Sequence, residues 1–218
     1  MNDAVIVATL LGALSPGVVS PGPSFLMVAQ TAVARSRRVA FAAALGMGVA
    51  AALLALMAVL GLHMVLSSST WMLSTLQGLG GLYLLYLALR IWQHANIPLV
   101  IDSETVKSPA GGRQAFVLAL ATMLSNPKAA VQYGVVFAAL LPSQLSPSLS
   151  TLVVFTVFLL ETTWYTIVAQ VLSSSRPRSA YLAYKPLIDR TAAIVMTSLG
   201  IRLLVNAAAS ANGSFALW

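Results

Sequence analysis

The tetrapeptide Ser125-Asn126-Pro127-Lys128 interrupts an otherwise apolar run over residues 115–141. Proline lacks the backbone donor that a helix interior needs, and a lysine in the middle of a hydrocarbon-length segment costs about 3 kcal/mol or more. The same residues suit the beginning of a helix, because asparagine is a good N-cap and proline is favoured at the first helical position. The sequence therefore predicts a helix break here, with Asn126 capping the second half.

Lys128 would lie in the first turn of that half-helix, where the helix dipole disfavours a cation. We therefore expect its charge to serve an anionic guest, since ionisable residues at membrane depth are functional by default. The alternative is that Lys128 pairs with an acidic side chain or extends to the cytoplasmic surface.

Composition indicates a protein that crosses the membrane several times. The chain has 218 residues, of which 59% are hydrophobic and 8% charged, with a mean hydropathy of +0.89. One span needs about 20 apolar residues, so the chain has room for about six. The net charge of +7 is explained by lysine and arginine retained on the cytoplasmic side, and we expect no nucleic-acid partner. With no cysteine and two histidines, the sequence predicts no metal site and no cofactor.

The fold class expected is an all-α membrane protein of six transmembrane helices. The spans are expected at about 4–33, 39–62, 71–92, 114–141, 149–172 and 191–205. The first is interrupted by Ser15-Pro16-Gly17 and again by Ser20-Pro21-Gly22-Pro23-Ser24. Such a density of proline and glycine prevents a continuous helix. Irregular backbone at this depth has to line a site inside the protein.

Basic residues predict the orientation of the spans. One set of loops, which includes a long connector over 93–113 and the segment 173–190, holds Arg35, Arg37, Arg38, Arg90, Lys107, Arg113, Arg176, Arg178, Lys185 and Arg190. The opposite side holds only Arg202. Because basic loops stay in the cytoplasm, both termini are expected outside.

The two proline breaks occupy corresponding places in two groups of three spans, which predicts an inverted repeat. We expect a single transporter domain over 1–218, with repeat one at about 4–92 and repeat two at about 114–206. Corresponding breaks in inverted halves mark the central site of many transporters, and half-helix N-termini suit a carboxylate. Glu161 is the only carboxylate inside the expected spans. An amino-acid zwitterion would place its carboxylate near Lys128 and its ammonium near Glu161.

The chain resembles the LysE/RhtB family of amino-acid exporters over nearly its whole length. The resemblance rests on Pro21-Gly22-Pro23, Arg37-Arg38, Gly80, Tyr83-Leu84-Leu85-Tyr86-Leu87, Asn126-Pro127-Lys128, Leu141-Pro142, Glu161 with Trp164-Tyr165, and Gly200-Ile201-Arg202-Leu203. It implies export of amino acids or their derivatives across the bacterial inner membrane, driven by proton exchange. Ser24 and Gln77 replace the asparagine and lysine usual in the family, and Glu161 stands where aspartate is frequent. These departures allow a substrate that differs from those of the lysine and homoserine/threonine exporters, so the resemblance does not determine which amino acid is exported.

The candidate substrate-binding residues lie at the two breaks and on the fifth span. They are Pro21, Gly22, Pro23, Ser24, Asn126, Pro127, Lys128, Glu161 and Tyr165. Glu161 is also the candidate proton carrier, which would hold a proton in the empty site and release it when the substrate ammonium arrives. The alternatives are a static Glu161–Lys128 ion pair that fixes helix packing, and a packing role for Trp164 and Tyr165.

A channel, an enzyme and a structural subunit would each be expected to show other properties. A passive channel would use the same polar residues but would conduct without saturation and without response to a pH gradient. A membrane-embedded enzyme is disfavoured because the chain lacks His-Glu-x-x-His, Gly-x-Ser-x-Gly and clustered acids. A purely structural subunit would not need two broken helices. The small-residue face Ala40, Ala44, Gly48 and Ala52 predicts close helix packing and would permit a homodimer.

Overall fold

The computed structural model describes residues 2–68, 70–97, 109–142, 145–173 and 175–211, and within them the side chains outside 62–73, 175–178 and 210–211. These ranges are helical with short connections and contain no strand, which confirms the all-α class. The helices are α1 Asp3–Val19, α2 Pro23–Ala34, α3 Arg37–Ser68, α4 Thr70–His94, α5 Gly112–Leu124, α6 Pro127–Leu140, α7 Pro147–Leu172 and α8 Ser175–Ala211.

Some helices of this bundle are long and apolar enough to cross a membrane. Within the described residues, three stretches pass on their own, Arg37–Gly61, Pro147–Leu172 and Ser179–Ala209, and the bent pair α1–α2 would make a fourth. Large apolar side chains such as Leu60, Leu79, Phe155 and Ile194 are more than half exposed. Apolar surface on this scale suits lipid contact. The protein is a multi-pass membrane protein, and the arrangement of six spans stays a prediction.

The break between α1 and α2 lies at the second of the two proline clusters. Ser20 and Gly22 each precede a proline and are extended, with φ/ψ of −66°/125° and −151°/−170°, because a following proline disfavours the helical conformation. The axes of α1 and α2 meet at 61°. The break predicted at Ser15-Pro16-Gly17 is wrong, since α1 continues through Pro16. A single proline removes only one helical hydrogen bond, which the packed helix tolerates.

The break between α5 and α6 follows the prediction closely. Asn126 is extended, with φ −81° and ψ 105°, and its side chain accepts a hydrogen bond from the Lys128 N–H at 3.1 Å. Pro127 is the first residue of α6. The N-cap role predicted for Asn126 is therefore confirmed.

Two predicted loops are wrong. The external loop expected at 63–70 is largely helical, because α3 continues to Ser68 and α4 begins at Thr70. The loop expected at 173–190 is almost entirely the first half of α8, which also contains Pro186. Its charges support the helix, since Lys185 and Asp189 form an ion pair one turn apart. Of the predicted connector at 93–113, residues 98–108 lie outside the described ranges.

Small residues set the closest helix contacts. α3 packs against α5, α6 and α7, with Ala40 and Ala44 fully buried. A Cβ atom on Gly48 would collide with the Thr162 hydroxyl of α7, so the predicted close approach is confirmed. Because this face of α3 contacts helices of the same chain, it lends no support to a homodimer.

Candidate functional site

The two helix breaks lie against each other in the bundle. Asn126 Nδ2 donates to Ser24 Oγ at 2.9 Å, which links the N-cap of α6 to the first turn of α2. Lys128 Nζ donates to the carbonyl oxygen of Ser20 at 3.1 Å. Residues about one hundred positions apart in the chain thus form one polar junction.

A small interior cavity lies beside this junction. Its volume is about 20 Å³, and its lining includes Ser20, Gly22, Ser24, Phe25, Met123, Asn126, Lys128, Gln132, Tyr133, Glu161 and Tyr165. This volume holds about one water molecule. The cavity is therefore too small for an amino acid, which would enter it only if the surrounding helices moved apart.

Glu161 lies at the deep side of the cavity, on α7. It is 2% exposed, and its Oε1 accepts a hydrogen bond from the Tyr133 hydroxyl of α6. Within the described part of the chain, Oε2 has no hydrogen-bond partner. A buried carboxylate with a free oxygen is suited to receive a proton or an ammonium group.

Lys128 and Glu161 form no direct ion pair. Lys128 bonds to a backbone carbonyl and Glu161 to a tyrosine, and the ion pair found among the described side chains joins Lys185 to Asp189. A static Glu161–Lys128 contact therefore does not hold these helices together in this conformation.

Gln132 connects α6 to α1 at the edge of the cavity. Its Nε2 donates to the Leu14 carbonyl oxygen at 3.0 Å. A Cβ atom on Gly17 would overlap the Gln132 amide, so glycine at this position allows the contact. The first proline cluster, Ser15-Pro16-Gly17, thus serves packing against α6.

A larger vestibule of about 570 Å³ adjoins the interior cavity. Ser20, Gly22, Asn126 and Lys128 line both spaces. The rest of the vestibule lining includes Pro21, Pro23, Tyr83, Tyr86, Arg90, His94, Pro127, Lys185 and Asp189. Lys128 therefore lies at the boundary between the two spaces.

Every candidate site residue from the sequence lines one of these spaces. Gly22, Ser24, Asn126, Lys128, Glu161 and Tyr165 line the interior cavity, and Pro21, Pro23 and Pro127 line the vestibule. Their roles in substrate binding stay predictions. Trp164 and Gln77 line neither space. Gln77 donates to the Ala138 carbonyl oxygen at 3.4 Å, where α4 packs against α6.

Gln132, Tyr133 and Asp189 are among the polar residues of the two spaces that the sequence did not assign to the site. Gln132 follows Lys128 at i+4 on an apolar helix, so helical spacing would have indicated it. Tyr133 lies on the same face as Asn126, at i+7. Asp189 was missed because its segment was interpreted as a loop. Among the described residues, no group of three His, Cys, Asp or Glu side chains is placed to hold a metal ion.

Comparison with known proteins identifies the family of the chain. The family model for the LysE type translocator matches residues 15–207. The threonine efflux protein of Escherichia coli strain K12 is 31% identical over 197 residues, covering 87% of this chain and 92% of the relative. The threonine efflux protein of Salmonella typhi is 31% identical over 192 residues, with the same coverage. An uncharacterized membrane protein of Haemophilus influenzae is 26% identical over 194 residues, covering 87% and 91%.

No solved structure matches the chain significantly. The family assignment rests on the match of the family model, which covers most of the sequence, and on relatives above 30% identity over most of both chains. This protein belongs to the LysE family of translocators, which are membrane transporters and not enzymes.

Proposed function

We propose that this protein exports amino acids or amino-acid derivatives from the bacterial cytoplasm across the inner membrane, with threonine as the first substrate to test. The observation that carries the proposal is the junction of two broken helices beside a cavity that displays both an ammonium and a carboxylate group. A zwitterion is the guest that such a pair recognises. The threonine efflux activity named for two relatives supports the choice of test substrate.

The substrate carboxylate would bind at the N-terminus of α2. The first intrahelical bond there runs from Leu26 N–H to the Gly22 carbonyl, so the N–H groups of Ser24 and Phe25 precede the hydrogen-bonded turns. The N-cap, Gly22, has no side chain to accept from them. Helix N-termini attract anions, and the Lys128 ammonium lies beside Gly22.

The substrate ammonium would bind at Glu161. Its free Oε2 supplies the negative charge, and the Tyr133 hydroxyl fixes the other oxygen. In the proposed cycle Glu161 takes up a proton from the periplasmic side when the site is empty and releases it to the cytoplasm when the ammonium arrives from there. Exchange of one positive charge for another at one carboxylate would couple export to the proton gradient.

Alternating access would enlarge the interior cavity and open it to each side in turn. The vestibule already extends to Lys128, and it is lined by Arg90, His94 and Lys185. Because basic residues mark the cytoplasmic side, this is the side from which we propose that substrate enters, with both chain termini periplasmic.

Helix packing supports a single domain of two inverted repeats, about 4–92 and 114–206. Exchanging α1 with α5, α2 with α6, α3 with α7 and α4 with α8 maps the two most extensive interfaces, α3–α7 and α4–α8, onto themselves. The same exchange converts α2–α7 into α3–α6 and α1–α6 into α2–α5, and all four packings occur, whereas α1–α8, α4–α6 and α2–α3 have no comparable counterpart. In the proposal the two halves move against each other around the junction of the breaks.

Efflux from proteoliposomes loaded with a panel of amino acids would test the proposal. We expect saturable export of at least one small polar amino acid, accelerated by a pH gradient. Glu161→Gln should abolish the response to the gradient because the side chain no longer carries a proton. Asp3→Asn is the matched control, since Asp3 is exposed at the start of α1.

Two results would contradict the proposal. Unchanged pH-driven export by Glu161→Gln would remove the proton role from this residue. Flux that neither saturates nor responds to a pH gradient would instead identify a passive channel, the alternative class.

A further inference from the structure

A buried ion pair on α8 lies at the vestibule, outside the interior cavity. Lys185 Nζ is 2.8 Å from Asp189 Oδ2. The same ammonium donates to the carbonyl oxygens of His94 and Ala95, at 3.1 Å and 3.2 Å. These carbonyls lie at the C-terminal end of α4, where a cation is favourable. Lys185 is thereby fully occupied in joining α8 to α4.

Only one of the two carboxylate oxygens of Asp189 takes part in this arrangement. Its side chain is 4% exposed, and Oδ1 has no hydrogen-bond partner within the described ranges of the chain. A buried carboxylate oxygen without a donor is costly and requires an explanation. The contact between α8 and α4 does not require Oδ1, because Oδ2 alone makes the ion pair with Lys185.

The free oxygen belongs to a side chain that lines the vestibule. The other charged or titratable side chains of that lining are Tyr83, Tyr86, Arg90, His94, Lys128 and Lys185. Asp189 is thus the one carboxylate among the described residues that line this space. An ammonium group that enters from this side has a single acidic anchor before it arrives at Glu161.

Lys128 connects the two acids. It lines the vestibule together with Asp189 and the interior cavity together with Glu161. One cation therefore lies between a carboxylate in the vestibule and a carboxylate in the interior. A zwitterion with its carboxylate near Lys128 could exchange one acidic partner for the other without leaving the ammonium of that lysine.

We propose that Asp189 forms an outer subsite in the vestibule, where Oδ1 binds the ammonium of an amino acid while Lys128 binds its carboxylate. This subsite loads the substrate before the interior cavity opens, and the ammonium then passes from Asp189 to Glu161. The inference rests on the proposed amino-acid export and adds to it a second recognition site on the entry side.

Equilibrium binding to detergent-purified protein separates the two acids. The ligands are threonine and 3-hydroxybutyrate, which is threonine without its amino group. In Glu161→Gln the interior anchor is removed, and we expect the preference for threonine over 3-hydroxybutyrate to persist because Asp189 is intact. Equal affinity of this variant for the two ligands would overturn the outer subsite, whether or not any Asp189 variant folds.

The double variant Glu161→Gln/Asp189→Asn should bind threonine about tenfold more weakly than Glu161→Gln, a typical effect of losing one charged contact. Its affinity for 3-hydroxybutyrate should not change, because that ligand has no ammonium. Glu161→Gln/Asp189→Glu keeps the charge and should keep the preference. If Asp189 had a purely structural role, its replacement would lower the affinity for both ligands equally or for neither. Either result would contradict the proposal.

Failure of the proposed function gives a different result. If the unmodified protein exports another member of the amino-acid panel, that amino acid and its deaminated counterpart replace threonine and 3-hydroxybutyrate in the binding test. If it exports none, amino-acid export is wrong, and the outer subsite, which depends on that substrate class, is wrong with it.

Discussion

The two helix breaks meet at one junction but are built differently. The α1–α2 break is an extended Ser20-Pro21-Gly22 segment with a bend of 61° between the helices, and its N-cap, Gly22, has no side-chain acceptor. The α5–α6 break is a turn of two residues in which Asn126 caps α6 and donates to Ser24. At the second break, the Asn126 side chain accepts from a backbone N–H of its own helix and also donates to Ser24 of the first break. The first leaves backbone donors for a guest.

Gly22 shows that this difference is not a matter of backbone strain. Its φ of −151° is extended backbone that any residue adopts. A Cβ atom there would lie 3.8 Å from Lys128 Cδ and Nζ, an ordinary contact. Because neither conformation nor space demands glycine, the property that distinguishes Gly22 from Asn126 is that it has no side chain to occupy the donors of α2. In the proposed mechanism the first break therefore binds the substrate carboxylate, and the second break provides structural support.

The largest expected effect comes from removing the ammonium between the two breaks. Lys128→Met should lower the rate of threonine export about 100-fold, because loss of one partner of a desolvated charge contact costs about 3 kcal/mol. Initial efflux rates from loaded proteoliposomes measure it. Lys128→Arg keeps the charge and serves as the control. An export rate for Lys128→Met within threefold of the unmodified protein would show that the first break binds its guest without this lysine.

The next effect concerns the second break as a structural support. Asn126→Ala should lower the free energy of unfolding in detergent by about 2 kcal/mol, through loss of the α6 cap and of the bond to Ser24. Ser146→Ala is the matched control, because Ser146 caps α7 through Leu149 N–H but does not contact another break. It should cost about 1 kcal/mol. Equal costs for the two variants would mean that the bond across the junction contributes nothing.

A smaller effect isolates the bond between the breaks. Ser24→Ala removes the acceptor of the buried Asn126 amide, so we expect a loss of about 1 kcal/mol in the free energy of unfolding. The cost of Ser24→Ala should be smaller when it is measured in the Asn126→Ala background, because the two residues share one interaction. The cost that remains comes from the Ser24 hydroxyl donating to Met123 Sδ. Full additivity in this double-mutant cycle would show that the breaks are held together by other contacts.

The smallest effect tests the uncapped first break directly. Gly22→Ser places a hydroxyl where it can accept from the α2 N–H groups, and it should raise the KM for threonine export about threefold by competing with the substrate carboxylate. Gly22→Ala adds the same Cβ without the hydroxyl, so its KM should stay close to that of the unmodified protein. If the two variants behave alike, the effect is one of size, and the donors of α2 do not bind the guest.

The sequence alone predicted the features that depend on neighbouring residues. Steric conflict between a proline and the residue before it acts within one peptide unit, so the breaks at Ser20–Gly22 and at Asn126 were predictable. The same rule failed at Ser15-Pro16-Gly17, because a lone proline weakens a helix without ending it when packing supplies the difference. Charges and prolines at 173–190 indicated a loop for a similar reason, although the Lys185–Asp189 pair stabilises a helix there.

What only the tertiary structure decided is which polar groups share a space. The hydroxyl group that donates to Glu161 belongs to Tyr133, and the acceptor for the Asn126 amide is Ser24. The carboxylate that lines the vestibule is that of Asp189. The hydrogen-bonded pairs join residues far apart in the chain, and their geometry follows from how α2, α6, α7 and α8 pack. Chain-local sterics and hydropathy therefore determined where the helices break and that they are apolar. Long-range packing decided which groups face each other, because burial leaves each polar atom dependent on the partner that another helix brings to it.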